Sequence, residues 1–255
     1  MLILALDTTS EKGGVGIFRD ADCLVLVPNE GPANRYSITL FEMVERALAL
    51  AHVELREIDL YAAANGPGSF TGIRVGLAAA RAWGKAFDRH VRGVSVLEAM
   101  VHKQGLEARR LGLASPAPDL YFPILDARRG EFFLGSFHRT THGGASGAGP
   151  AAERRSGLYA DGGWVLKPES LRAFVEDRLT GGARAMCLVR AQDQAAADLC
   201  ASLPTSLNWQ PVEGTLVDSI AALARKEEQS SRPCPDAELD AYYIRRPDAE
   251  INWKE

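Results

Sequence analysis

Leu4-Ala5-Leu6-Asp7-Thr8-Thr9-Ser10 is an apolar run that stops on an aspartate and three hydroxyls. An uninterrupted apolar run of this length reads as a strand buried on both faces. Gly16 and Phe18 stand nine and eleven residues beyond Asp7, and Gly135 and Phe137 stand at the same offsets beyond Asp126, which also follows a leucine. Each copy is a strand closing on Asp, a polar turn (Thr8 to Lys12; Ala127 to Gly130) and a second strand. No gap is needed to superpose them. Chance can match four positions, yet two halves that each open in this way fit a duplicated α/β architecture.

Outward from the first copy, strands are expected at Leu2 to Asp7, Gly14 to Arg19 and Cys23 to Pro28. A helix covers Tyr36 to His52, a strand Leu60 to Asn65, and Gly66-Pro67-Gly68-Ser69-Phe70-Thr71-Gly72 turns into a second helix reaching Phe87. Val91 to Val96 is a further strand leading into a short helix. Past the second copy, Gly143 to Gly157 is Gly-, Ala- and Ser-rich and reads as a surface loop. Pro168 opens a helix to Arg178, Arg184 to Arg190 is a strand, and helices follow at Gln192 to Ser202 and Thr215 to Glu228. The expected domains are 1–103, a degenerate second copy over 104–232, and an extended tail over 233–255 with Tyr242 and Tyr243 as aromatic anchors.

Composition narrows the function. Hydrophobic residues at 46% and charged residues at 24% are globular proportions. A net charge of −4 argues against a free-standing, non-specific nucleic-acid binder, which needs a basic face to displace phosphate counterions. Leu2 to Leu6 is too short for a secretory core and has no basic leader, and no stretch reaches the roughly 18 apolar residues of a membrane span. Cys23, Cys187, Cys200 and Cys234 contain no C-x-x-C pair and read as reduced thiols of a cytoplasmic protein. Among the histidines, only His138 and His142 have an i, i+4 spacing, and they fall where a strand enters the Gly-rich loop, so no metal site is expected. No nucleophile–base set stands out.

Two motifs bear on chemistry. Asp7-Thr8-Thr9-Ser10 is either a phosphate-facing turn whose aspartate works through magnesium, or a turn whose side chains bond their own backbone. The Gly66–Gly72 loop is either an anion site at a helix amino terminus or a tight strand-to-helix joint. The two helices carry surplus apolar surface. On the second, Arg74, Arg81, Lys85 and Asp88 lie within about 60° of arc, and Gly76, Ala80 and Gly84 form a bare seam. On the first, the apolar arc from Leu50 and Met43 through Tyr36, Ala47 and Leu40 to Phe41 spans about 180°, where one core face needs little more than 100°. The surplus indicates a protein–protein interface at Tyr36, Leu40, Met43, Ala47, Leu50, Gly76, Ala80, Trp83 and Gly84, unless the second half covers it. Glu45, read as plainly exposed, is expected to tolerate substitution.

Three stretches carry a resemblance: Leu4 to Ser10, Asn65-Gly66-Pro67-Gly68-Ser69-Phe70-Thr71-Gly72-Ile73-Arg74-Val75-Gly76, and Gly93-Val94-Ser95. They resemble the TsaB family of bacterial tRNA threonylcarbamoyladenosine biosynthesis proteins. The match is strong over residues 1–100, weaker over Pro123 to Arg128, and returns at Tyr243-Ile244-Arg245. The resemblance implies an actin-like (ASKHA, RNase H-like) ATPase fold in two α/β subdomains. It also implies a non-catalytic subunit supporting TsaD, which carries the metal-binding histidines and modifies adenosine 37 of tRNA. TsaE, a P-loop ATPase, completes the implied complex, and TsaC supplies the activated threonylcarbamoyl group. ATP and magnesium are then used by the complex and no cofactor is required by this chain. Asp7, Thr8, Thr9 and Ser10 become a vestigial nucleotide site, tRNA is met through the complex, and the chain alone is expected to homodimerise. Tyr36 departs from a histidine that many members carry near the start of the first helix. The alternative is an actin-like ATPase or small-molecule kinase using Asp7 and Asp126.

Overall fold

The computed structural model describes residues 1–32, 35–112, 118–139, 158–179, 182–204 and 207–230. The 143–157 loop, the 233–255 tail with its Tyr243-Ile244-Arg245 motif, His142 and Cys234 lie outside them. The described helices include none long and apolar enough to cross a membrane.

The first sheet contains β1 (Leu2–Asp7), β2 (Gly14–Arg19), β3 (Asp22–Pro28), β4 (Leu60–Gly66) and β5 (His90–Ser95), in the order β3-β2-β1-β4-β5. β1, β2 and β3 pair antiparallel, whereas β4 and β5 add on parallel. The second sheet contains β6 (Leu120–Arg128), β7 (Glu131–Arg139), β8 (Leu158–Leu166), β9 (Ala185–Arg190) and β10 (Asn208–Val212), in the order β10-β9-β6-β7-β8. Here β6, β7 and β8 are antiparallel, and β9 and β10 are parallel additions. The wiring is the same in both sheets, so the chain has the duplicated actin-like α/β fold expected from the paired strand–Asp–turn–strand units.

Helices α1 (Tyr36–Ala51) and α2 (Phe70–Phe87) cover one face of the first sheet. Leu4, Leu6, Val15 and Ile17 from the strands meet Leu40, Val44, Ile73, Leu77 and Ala80 from the helices. α3 (Val96–Arg110) follows β5 directly. In the second sheet, α4 (Pro168–Arg178) and α5 (Gln194–Ala201) enclose a core that includes Phe122, Ile124, Leu134, Val175, Cys187 and Leu199.

Contacts divide the chain into two compact units, Met1–Lys103 with Gly214–Glu255, and Gln104–Glu213. Read from sequence, the Thr215 to Glu228 helix falls within the second domain, 104–232. The helix, α6 (Val217–Gln229), packs instead on β1, β2, β4 and β5 of the first sheet. It takes the face opposite α1: Gly16, between inward-facing Val15 and Ile17, leaves space that the Val217 side chain occupies. Glu228 binds Arg92 of β5 through two contacts of 2.9 and 3.0 Å, and Asp218 binds Lys103 at 2.6 Å. Sequence patterning missed β8 and β10. Both are edge strands; one is interrupted by Gly162-Gly163 and the other by Pro211, which weakens the strand signal.

Candidate functional site

Asp7 ends β1 almost wholly buried, at 1% exposure. Its Oδ1 accepts hydrogen bonds from the Thr9 amide (3.0 Å) and the Thr9 hydroxyl (2.7 Å). The Thr8 hydroxyl donates to the Gly72 carbonyl at 2.7 Å, and the Ser69 amide donates to the Thr9 carbonyl at 2.8 Å. The glycines of the following loop are explained by this contact. A Cβ on Gly72 would lie 1.9 Å from the Thr8 carbonyl oxygen, and one on Gly76 would lie 2.4 Å from the Thr8 hydroxyl. Gly68 (φ +158°) abuts Thr9 in the same way. From the other side, the Tyr36 hydroxyl donates to the Ser10 carbonyl at 2.9 Å, over Gly13, where a side chain would strike both Tyr36 and Asp7. The turn is therefore the seat on which the first turn of α2 rests.

This seating bears on nucleotide. The hydroxyls of Thr8 and Thr9 and the Thr9 amide, the donors such a turn would offer a phosphate, already serve partners inside the chain. Among the described residues, Asp7 Oδ2 is buried with no hydrogen-bond partner. One carboxylate oxygen suits a cation rather than a phosphate. The described residues include no group of three His, Cys, Asp or Glu side chains placed to hold a metal. The turn fits a nucleotide poorly, and no chemical step is assigned to it.

Asp126 occupies the corresponding place in the second unit. Its Oδ1 accepts from the Arg128 amide at 2.7 Å, and its Oδ2 lies 3.4 Å from the Arg128 guanidinium. Its own amide donates to Asp193 Oδ2, while Asp193 Oδ1 caps α5 by accepting from Ala196. Arg128, Arg129 and Gly130 all have positive φ, forming a basic turn where a phosphate loop would be small and polar. Asp126 is thereby a turn-forming residue.

The structure also assembles Ser136, His138 and Asp161, a trio that sequence reading missed. A bulge at Ser136/Phe137 leaves Asp161 outside the β7–β8 pairing, so its carboxylate reaches Ser136 (3.2 Å) and His138 (2.6 Å). Both partners bond to the same Asp161 oxygen, and Ser136 is fully buried. A hydrolytic triad needs the imidazole between serine and aspartate; here the aspartate stands between the other two. Cys187 and Cys200 are buried free thiols, whereas Cys23 is an exposed one. Cys200 hydrogen-bonding and burial hold the Cys187 thiol well above its ordinary pKa, away from nucleophilic character.

The helix residues singled out as an interface divide. Tyr36, Leu40, Met43 and Ala47 are buried against the chain's own sheet, at 8% exposure or less. Gly76, Ala80 and Gly84 turn inward as well. Gly76 meets Thr8, Ala80 is fully enclosed, and a Cβ on Gly84 would lie 2.3 Å from Val91 of β5. These seven positions are core, because the bare seam brings α2 down onto β4 and β5 rather than onto another molecule. Leu50 is 57% exposed at the far end of α1. Trp83 is half-buried, its ring 6.0 Å edge-on from Phe41 and 6.0 Å from Tyr61. Besides Leu50, the helix pair leaves Ile38 at 60%, Phe41 at 53% and Phe70 at 41% in water, the last covered in part by the Arg74 guanidinium 3.9 Å above its ring. Phe41 closes the apolar arc read from the sequence, whereas Ile38, on the side of α1 away from the Tyr36–Leu40–Ala47 row, lies outside that arc and was missed. As expected, Arg74, Arg81, Lys85 and Asp88 are the exposed stripe of α2.

Comparison with known proteins agrees with this architecture. The family model for TsaD, tRNA N6-adenosine threonylcarbamoyltransferase, matches residues 26–253. A tRNA threonylcarbamoyladenosine biosynthesis protein TsaB from Escherichia coli is 31% identical over 56% of this chain and 58% of its own length. The Bacillus subtilis TsaB is 27% identical over 54% of this chain and 55% of its own. The chain thus spans about half the length of the curated relatives it matches. A Pseudomonas aeruginosa structure described as similar to peptidase YeaZ superposes with a TM-score of 0.67 at 19% identity, over 96% of this chain and 99% of that one, which shows a shared fold. With a match across most of its length, the chain belongs to the TsaD, tRNA N6-adenosine threonylcarbamoyltransferase, family, and TsaB proteins are among its relatives.

Proposed function

We propose that this chain is a non-catalytic subunit of the cytoplasmic machinery that makes threonylcarbamoyladenosine in tRNA. In this reading it binds and supports a TsaD-type catalytic subunit, works alongside a TsaE-type P-loop ATPase, and meets tRNA mainly through the complex. Alone, it self-associates through the same surface. It needs no cofactor of its own; ATP and magnesium serve the complex.

The observation that carries this reading is the pair of half-exposed side chains Ile38 and Phe41 on α1, the latter packed edge-on against Trp83 of α2. Neighbouring helices that leave such groups in water mark a protein interface. Burying each is worth about 1.5–3 kcal/mol, and lost translational freedom offsets much of that. The result is a modest association suited to exchange of partners. The internal use of the Thr8 and Thr9 donors supports the absence of a nucleotide reaction on this chain.

The test is reconstitution of tRNA modification from TsaC-, TsaD- and TsaE-type proteins with and without this chain. Modification should depend on it and should fall with Phe41→Asp. ATP hydrolysis by the pure chain, lost on Asp7→Ala, would instead favour the ATPase or kinase reading and overturn this one.

A further inference from the structure

We draw no further inference here: the strongest candidate, the apolar patch of Leu24 and Leu26 on the edge strand β3, 37% and 42% exposed, carries none because nothing among the described residues shows what covers it.

Discussion

Gly72 has no room for a side chain, since a Cβ there would lie 1.9 Å from the Thr8 carbonyl oxygen, a backbone atom just past the end of β1. Gly72→Ala should therefore destabilise the chain by about 3 kcal/mol or more, as overpacking against fixed backbone does, and urea unfolding will measure it. Tyr36→Phe removes only the hydroxyl that bonds to Ser10, so a loss of about 1 kcal/mol is expected in the same assay. Tyr61 offers a different readout. Burial pushes its phenol up to about 12, against a smaller lowering by Arg89, while its hydroxyl donates to the Leu55 carbonyl. A raised pKa means that the folded state holds this proton more tightly than the unfolded state. The associated stability is intact below pH 10 and declines as pH rises from 10 to about 12. Phenolate absorbance should show a tyrosine ionising about two units above the ordinary phenol pKa of 10. An ordinary titration for every tyrosine would contradict the buried geometry.

At the scale of the element, α2 has two sides with opposite fates. Ala80→Arg drives a cation into a fully enclosed position and should abolish the fold, whereas Phe41→Asp on α1 should leave the circular dichroism spectrum and melting temperature close to the parent. Finding the reverse would exchange core and surface in this account. α6 is held to β5 by Glu228. Burial would raise its pKa, but the His90 and Arg92 hydrogen bonds and charges together lower it. Its stabilisation is therefore present above the ordinary glutamate pKa and lost as pH falls through the lowered one. Glu228→Gln should cost about 1.5–3 kcal/mol at neutral pH, the range for hydrogen bonds to charged groups. The difference from the parent should shrink in acid.

Across the whole molecule, two sheets of identical strand order carry two aspartate turns, one closed by Thr9 and one by Arg128. Calorimetry with ATP and magnesium is accordingly expected to give no micromolar binding to the isolated chain; a micromolar, magnesium-dependent signal would contradict this. Sequence by itself determined the duplicated architecture and the central strands β1, β2, β4, β6 and β9, because apolar runs bounded by turn residues report burial locally. It also determined the exposed charged stripe of α2, since helical spacing places Arg74, Arg81 and Lys85 on one flank. It could not determine which apolar face each helix buries against its own sheet. Tyr36, Leu40 and Ala80 looked like surplus surface until the sheet beneath them was counted, whereas Leu50 and Phe41 of the same arc stay in water and Ile38, outside it, joins them. The same limit hid the return of α6 to the first sheet and the meeting of Asp161 with Ser136 and His138. Periodicity fixes the relation of a residue to its own helix or strand. Contacts between residues far apart in sequence depend on how those elements pack, and only the tertiary structure decided them.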